Sequence, residues 1–215
     1  MRWLYLLFVV ALMTSVMTVY KNHKNSMDTG RQKLTDNNFS RTDTSSLALV
    51  RLKQYRNVIN SFTKANGLND RYCFLIDMNI PSGKKRFFIY DLLKDTIADA
   101  GLVTHGSGNQ GISDSIIFSN KPGSNCSSPG RYKTGKPYYG KFGLAYKLYG
   151  LDKTNSNAFN RFVVLHAHGC VPDIEIAPQK ICMSWGCPTV SPLFLSHVKK
   201  YIDQSASPLL LWVLP

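Results

Sequence analysis

From Tyr72 onward the hydrophobic period of the chain is two, and that period decides what the chain can fold into. Phe74, Ile76, Met78 and Ile80 alternate with Cys73, Leu75, Asp77 and Asn79. Side chains that alternate in this way line opposite faces of a pleated strand. Pro81-Ser82-Gly83-Lys84-Lys85 has turn chemistry, and Arg86 to Leu92 forms a second apolar run, so the two predict a hairpin. Further strand-like runs lie near 101–105, 115–118, 143–149, 161–166 and 208–214, separated by Gly- and Pro-rich turns. The expected class is mainly β, a sandwich or small barrel with a few peripheral helices. Two helices are predicted. One spans about 47–65, capped by Ser45 or Ser46, striped by Leu49, Leu52, Tyr55, Ile59 and Phe62, and ended by Gly67. The other starts at Ser191-Pro192, with Phe194, Val198, Tyr201 and Ile202 on its buried face.

The N-terminal part reads differently. Trp3 to Tyr20 is apolar apart from Thr14, Ser15 and Thr18, with Arg2 before it and Lys21, His23 and Lys24 after it. It is short for a membrane span of about 20 residues and long for a signal-peptide core of roughly 7–15. No Ala-x-Ala-like cleavage site follows, which favours a retained apolar helix as an anchor over a cleaved signal. Residues 21–45 are polar and read as a linker, and 46–215 as the folded domain. Hydrophobic content of 44% with 18% charged residues excludes a disordered chain.

The chemistry concentrates near the C-terminal end. Cys187 sits in Ser184-Trp185-Gly186-Cys187-Pro188, twenty-one residues after His166, which ends the run Phe162-Val163-Val164-Leu165. A strand-borne imidazole beside a thiol in a glycine-containing loop suits Cys/His acyl transfer. The thiolate is the nucleophile, and an adjacent base generates it. Gly186 leaves room for a substrate carbonyl, and the N–H groups of Gly186 and Cys187 are expected to form an oxyanion hole. Ser184 supports the loop. His168 rivals His166 as base, because residues two apart share a strand face. His105, before Gly106-Ser107-Gly108, reads equally as a site-lining residue or a structural one. Ser119, Asn120, Ser128, Trp185 and His168 are further substrate-binding candidates, although Ser and Asn in such loops often cap local backbone instead.

The set His166, His168, Cys170 and Cys182 matches no zinc-ligand spacing, so neither metal nor cofactor is expected. There are five cysteines. With Cys187 reactive, four remain for disulfides, and Cys170 with Cys182 is the first pair to suspect because it flanks the connection between the two chemical elements. Cys73, in a strand-like run, reads as a plain buried thiol.

The formal net charge is +13, and residues 115–151 hold no acidic side chain. They carry Lys121, Arg131, Lys133, Lys136, Lys141 and Lys147 among Tyr132, Tyr138, Tyr139, Phe142, Tyr146 and Tyr149. Such a face suits nucleic acid or an anionic glycopeptide. Export would favour the latter, and no nucleic-acid partner is expected.

The Ser-x-Gly-Cys stretch and its upstream His resemble the signature of the L,D-transpeptidases of bacterial peptidoglycan (YkuD-like). Ser-Trp-Gly-Cys-Pro is similar to the murein L,D-transpeptidase catalytic domain branch. Leu102-Val103-Thr104-His105-Gly106, Phe118-Ser119-Asn120, Gly123-Ser124, Ser127-Ser128-Pro129-Gly130 and Tyr139-Gly140-Lys141-Phe142-Gly143 follow in that branch's order. The resemblance spans roughly residues 70–192. It implies a mainly β fold, Cys187 as nucleophile and His166 as base. It also implies a backbone carbonyl, from Ala167 or nearby, that orients the imidazole. The implied substrates are peptidoglycan stem peptides, attacked at an L–D bond to give a thioester that an amine resolves. The implied location is the bacterial envelope or periplasm, either anchored in the inner membrane or secreted. A carboxypeptidase using water, or a degenerate wall-binding module, are the alternatives. Three positions depart from the branch: Ala167 where Gly is frequent, Met183 where Arg is expected, and Phe142 where His is common. They bear on specificity and activity level rather than on the fold.

Overall fold

The computed structural model describes residues 49–110 and 115–215. The chain divides into two compact units, Met1–Arg51 and Leu52–Pro215, and the second holds every strand found among the described residues. The expected apolar helix at 1–20, the linker at 21–45 and the caps Ser45 and Ser46 lie outside the described residues. Among the described residues no helix is long and apolar enough to cross a membrane.

The first helix, α1, runs over 49–65 and is followed by Gly67 at φ 61°, a left-handed conformation that glycine adopts without strain. The expected hairpin forms from β1 (Tyr72–Asp77) and β2 (Phe87–Asp91), antiparallel with Phe74 opposite Ile89 and Ile76 opposite Phe87. Then come β3 (Thr96–Gly101), β4 (Gly130–Gly140), β5 (Gly143–Gly150), β6 (Val164–Ala167), β7 (Thr189–Val190), α2 (Pro192–Asp203) and β8 (Leu210–Leu214). The strands form one eight-stranded sheet in the order β3-β2-β1-β8-β4-β5-β6-β7. β8 runs parallel to β1 and antiparallel to β4, joining the N-terminal hairpin to the β4–β5 hairpin.

The sheet is not a sandwich of two hydrogen-bonded layers. Its edges approach each other instead. The chain leaving β3 bonds to the neighbourhood of β7 through Thr104 N–H to the Thr189 carbonyl and Ser184 N–H to the His105 carbonyl, both at 2.9 Å. This seam satisfies polar groups that a bare edge would expose.

Helices cover both faces of the central strands, which is why β1 and β2 are buried on both sides. Phe74, Ile76, Phe87, Ile89, Leu211 and Val213 pack in one cluster with Phe194, Leu195 and Val198 of α2. Ser191 caps α2 by accepting from Phe194 N–H at 3.1 Å. On the other face, Cys73 and Leu75 neighbour Leu210 and Trp212, and Tyr55 of α1 meets Trp212 edge-on at 5.2 Å.

Three strands, β3, β4 and β7, lack a sequence signal, while the expected runs at 101–105 and 115–118 form no strand of their own, with only isolated bridges at Gly106 and Phe118. β4 reads as a Gly- and Pro-interrupted basic stretch, yet a register shift between Thr134 and Pro137 accommodates the proline within a continuous pairing to β5. β7 is only two residues long.

Candidate functional site

β5, β6 and β7 lie side by side, with His166 between Ala145 of β5 and Thr189 of β7. Leu165 points into the core cluster, so its neighbour His166 faces the other way. There it lines a cavity of about 290 Å³ shared with Cys187, Thr104, Lys141, Phe142, His168, Met183, Ser184, Trp185, Thr189 and the Cys170–Cys182 disulfide. That disulfide is the pair suspected from sequence. It also removes both thiolates from the four-residue His/Cys set. Cys73 and Cys126 are free and buried.

His166 is 5% exposed and uses both ring nitrogens: Nδ1 lies 3.0 Å from the Ala167 carbonyl, and Nε2 lies 3.1 Å from Thr189 Oγ1. A carbonyl only accepts, so Nδ1 carries the proton and Nε2 accepts from the Thr189 hydroxyl. Phe142 stacks on the imidazole with ring centroids 4.6 Å apart. Burial lowers the proton affinity of His166, and nearby His168 lowers it further, while the bond to Ala167 works in the opposite direction. His168 lies just beyond β6, is exposed, and accepts from Cys170 N–H through Nδ1 at 3.1 Å. The two histidines that spacing left equivalent are therefore distinguished by burial and by partners.

Cys187 is held by its own turn. Ser184 Oγ donates to the Cys187 carbonyl at 2.6 Å and accepts from Gly186 N–H at 3.1 Å. Thr104 Oγ1 adds a second donor to that carbonyl at 3.2 Å. Gly186 adopts φ 110°, and a Cβ there would stand 2.6 Å from the Cys126 carbonyl oxygen. The oxyanion role expected of the Gly186 N–H is thus corrected: that donor closes the turn instead. The Cys187 thiol sits between Val164 N–H, which donates to Sγ at 3.5 Å, and the Phe162 carbonyl at 3.7 Å. Burial raises the thiol's pKa, while the Val164 bond and the Arg161 charge pull it down. Thiol and imidazole are therefore both biased toward their neutral forms at rest, and their mutual hydrogen bond is not made.

Arg161 and Thr189 carry no sequence signal as site residues, and Thr104 enters only within the run Leu102-Val103-Thr104-His105-Gly106. Arg161 donates to the Ser119 carbonyl at 2.9 Å, Ser128 Oγ at 2.5 Å and the Cys126 carbonyl at 2.7 Å. Ser119 and Ser128, expected to bind substrate, thus anchor this arginine. Asn120 accepts from Asn157 N–H and donates to the Lys153 carbonyl and Ser156 Oγ, so it ties the loop after β5. None of these three lines the Cys187 cavity, and neither does His105.

The His105 side chain lies on the opposite side of its extended segment from Thr104 and lines a separate cavity of about 440 Å³ with Arg86 and Lys180. Its Nδ1 accepts from the buried Arg86 guanidinium at 3.0 Å. Burial, reinforced by the Arg86 and Lys180 charges, lowers its pKa from 6.5 to about 4. Trp185, by contrast, lines the Cys187 cavity and is 73% exposed. Of the basic aromatic stretch, Lys141 and Phe142 reach the cavity. Lys147 lies over the rings of Tyr138 and Phe159 instead, and Lys133 over Tyr149.

Residues 43–211 match the L,D-transpeptidase catalytic domain family. No curated protein matches the chain. Among solved structures, the helical cell shape determining protein Pgp2 of Campylobacter jejuni is 10% identical with a TM-score of 0.44, over 66% of this chain and 46% of that one. An L,D-transpeptidase from Mycobacterium smegmatis is 10% identical with a TM-score of 0.38, over 67% of this chain and 59% of that one. The L,D-transpeptidase of Xylanimonas cellulosilytica is 10% identical with a TM-score of 0.35, over 71% and 68% respectively. The match to Pgp2 spans about half of that protein's length. With its 43–211 segment matched, the chain belongs to the L,D-transpeptidase catalytic domain family.

Proposed function

We propose that this chain is a cysteine-dependent L,D-transpeptidase acting on peptidoglycan stem peptides. The observation that carries this reading is the shared cavity of Cys187 and His166, with the imidazole's Nδ1 proton engaged by Ala167 and its Nε2 met by the Thr189 hydroxyl. In this reading His166 Nε2 takes the Cys187 thiol proton, and the thiolate attacks the carbonyl carbon of the L-centred residue of the donor stem. The tetrahedral oxyanion is met by the Cys187 N–H. His166 returns the proton to the departing amine of the D-residue, leaving a thioester. An acceptor amine attacks the thioester, loses a proton to His166 and forms the cross-link as the thiolate leaves.

The neutral resting pair fits this scheme. A thiol kept protonated by burial resists oxidation between turnovers, and substrate that closes the cavity brings the base into use. Lys141 at the rim suits stem carboxylates, and the exposed Trp185 and Phe142 suit apolar faces of the substrate. The reading extends to the whole chain as an envelope protein, with residues 1–20 as anchor or signal, 21–45 as linker and 46–215 as the catalytic domain.

The test is incubation of the protein with tetrapeptide-stem muropeptides, products being read by mass spectrometry beside Cys187→Ala. Loss of the terminal D-residue with a new amide dimer is expected from the wild type only. Loss without a dimer would assign a carboxypeptidase. Equal inertness of the two proteins, with both retaining polymer binding, would overturn the enzymatic reading.

A further inference from the structure

Thr189 lies two residues after Cys187 and beside His166 in the β6–β7 ladder. It is 3% exposed, and its Oγ1 is 3.1 Å from His166 Nε2 and 3.4 Å from the Cys187 carbonyl oxygen. In the neutral ring Nε2 can only accept, so the Thr189 hydroxyl donates to it. The Cys187 carbonyl does not depend on this hydroxyl, because Ser184 and Thr104 already donate to it at 2.6 and 3.2 Å. Once Nε2 carries a proton, it becomes a donor. A hydroxyl has one proton and two lone pairs, so Oγ1 can accept from Nε2 while its own proton turns to the Cys187 carbonyl. Both hydrogen-bond patterns use the same heavy-atom positions.

We propose that Thr189 is a positioning residue whose hydroxyl orients the His166 imidazole and reverses its hydrogen bond when Nε2 becomes protonated, stabilising the imidazolium. The inference rests on the transpeptidase reading for its role in turnover, while its geometry does not. When the ring takes up a proton, one N–H bond forms at Nε2, directed at Oγ1. No Thr189 bond breaks; its O–H only rotates. A hydrogen bond from a charged donor is roughly twice as strong as a neutral one. The hydroxyl therefore favours the protonated ring over the neutral ring. The other charged or titratable groups facing His166 are His168 beyond β6, Lys141 from the β4–β5 turn and Cys187 across the cavity, with Arg161 acting on Cys187 from behind its loop. β5 presents Ala145 and the 104 segment presents Thr104, neither of which titrates. Substitution at Thr189 leaves all of these in place.

Thr189→Val keeps the branched shape and removes the hydroxyl, whereas Thr189→Ser keeps the hydroxyl and removes the methyl. His166 is titrated by NMR in ring-labelled protein. Alkylation of Cys187 by iodoacetamide is followed against pH by peptide mass spectrometry without reductant. Val is expected to lower the His166 pKa by about half to one unit and to slow Cys187 alkylation at pH 7 by about 3–10-fold, with Ser within about twofold of wild type. A Val protein equal to wild type, or a Ser protein as impaired as Val, overturns the proposal. Muropeptide turnover measured in parallel separates the two claims. An inert wild type that still shows the Val–Ser difference sinks the transpeptidase reading and supports the positioning role of Thr189. A turning-over wild type with no Val effect does the reverse.

Discussion

His166 and His105 are both nearly buried, and both have lowered proton affinity, yet their surroundings differ in kind. His105 meets a guanidinium that is itself fixed: Arg86 also donates to the Val103 and Ile80 carbonyls. Its ring is one more acceptor in a cationic structural network. His166 is held by a carbonyl on one nitrogen and a rotatable hydroxyl on the other, with a thiol across the same cavity. Only the second arrangement meets the acceptor nitrogen with a rotatable hydroxyl, which can accept as well as donate, rather than with a guanidinium, which can only donate. A buried histidine beside a family motif is thus not by itself a site residue; the partners of its two nitrogens decide.

The largest expected effect separates the two rings by activity. His166→Gln should reduce muropeptide turnover by about 10²–10⁴-fold, the usual worth of a general base. His105→Asn, which keeps an acceptor for Arg86, should stay within a few-fold. Comparable losses in both would erase the distinction.

Stability against pH sharpens it from the other side. The His105 pKa is about 4 in the folded protein against 6.5 for the free side chain, so below 6.5 the unfolded chain binds the extra proton and the folded one does not. Stability therefore falls as pH drops from 6.5 to about 4 and levels off below that. A pKa moved from 6.5 to about 4 corresponds to a stability change on the order of 3 kcal/mol. His105→Asn should remove that slope in urea titrations run across the range, and an unchanged slope would assign it to another group. His166 contributes in the same direction.

The cavity wall gives the next effect. Cys170 and Cys182 close a loop of twelve residues' separation, and reducing them should cost about 3 kcal/mol by loop entropy. Denaturant midpoints with and without a dithiol reductant check this, and an unchanged midpoint would mean the loop is held by its other contacts. The smallest effect is expected at Phe142, whose stack on His166 is worth about 0.5–1.5 kcal/mol. Phe142→Ala should lower stability by that amount while leaving the His105 slope untouched.

Much of this contrast was legible in the sequence, and the rest was hidden for identifiable reasons. The Phe74/Ile76 alternation, the β1–β2 hairpin and the Ser191-Pro192 helix start follow from local periodicity and capping. The pair Cys187 and His166, the carbonyl of Ala167 and the Cys170–Cys182 bridge followed from motif, resemblance and position. His105 did not, because strand alternation determines which face a residue takes only once the register across the seam to Thr189 is known. Ser119, Asn120 and Ser128 misled for the reason their residue types suggest: short polar side chains most often serve nearby backbone or, here, a loop arginine. Arg161 and Thr189 had no signal at all, since their importance arises from contacts made across the fold.

The most direct test of the central claim is the covalent intermediate. The protein is mixed briefly with a tetrapeptide-stem muropeptide, quenched in acid and read by intact and peptide mass spectrometry. The account predicts an adduct equal to the donor less its terminal D-residue, on the peptide containing Cys187, absent in Cys187→Ala and slow to appear in His166→Gln. Product formation that persists in Cys187→Ala, or an adduct on any residue other than Cys187, would contradict it.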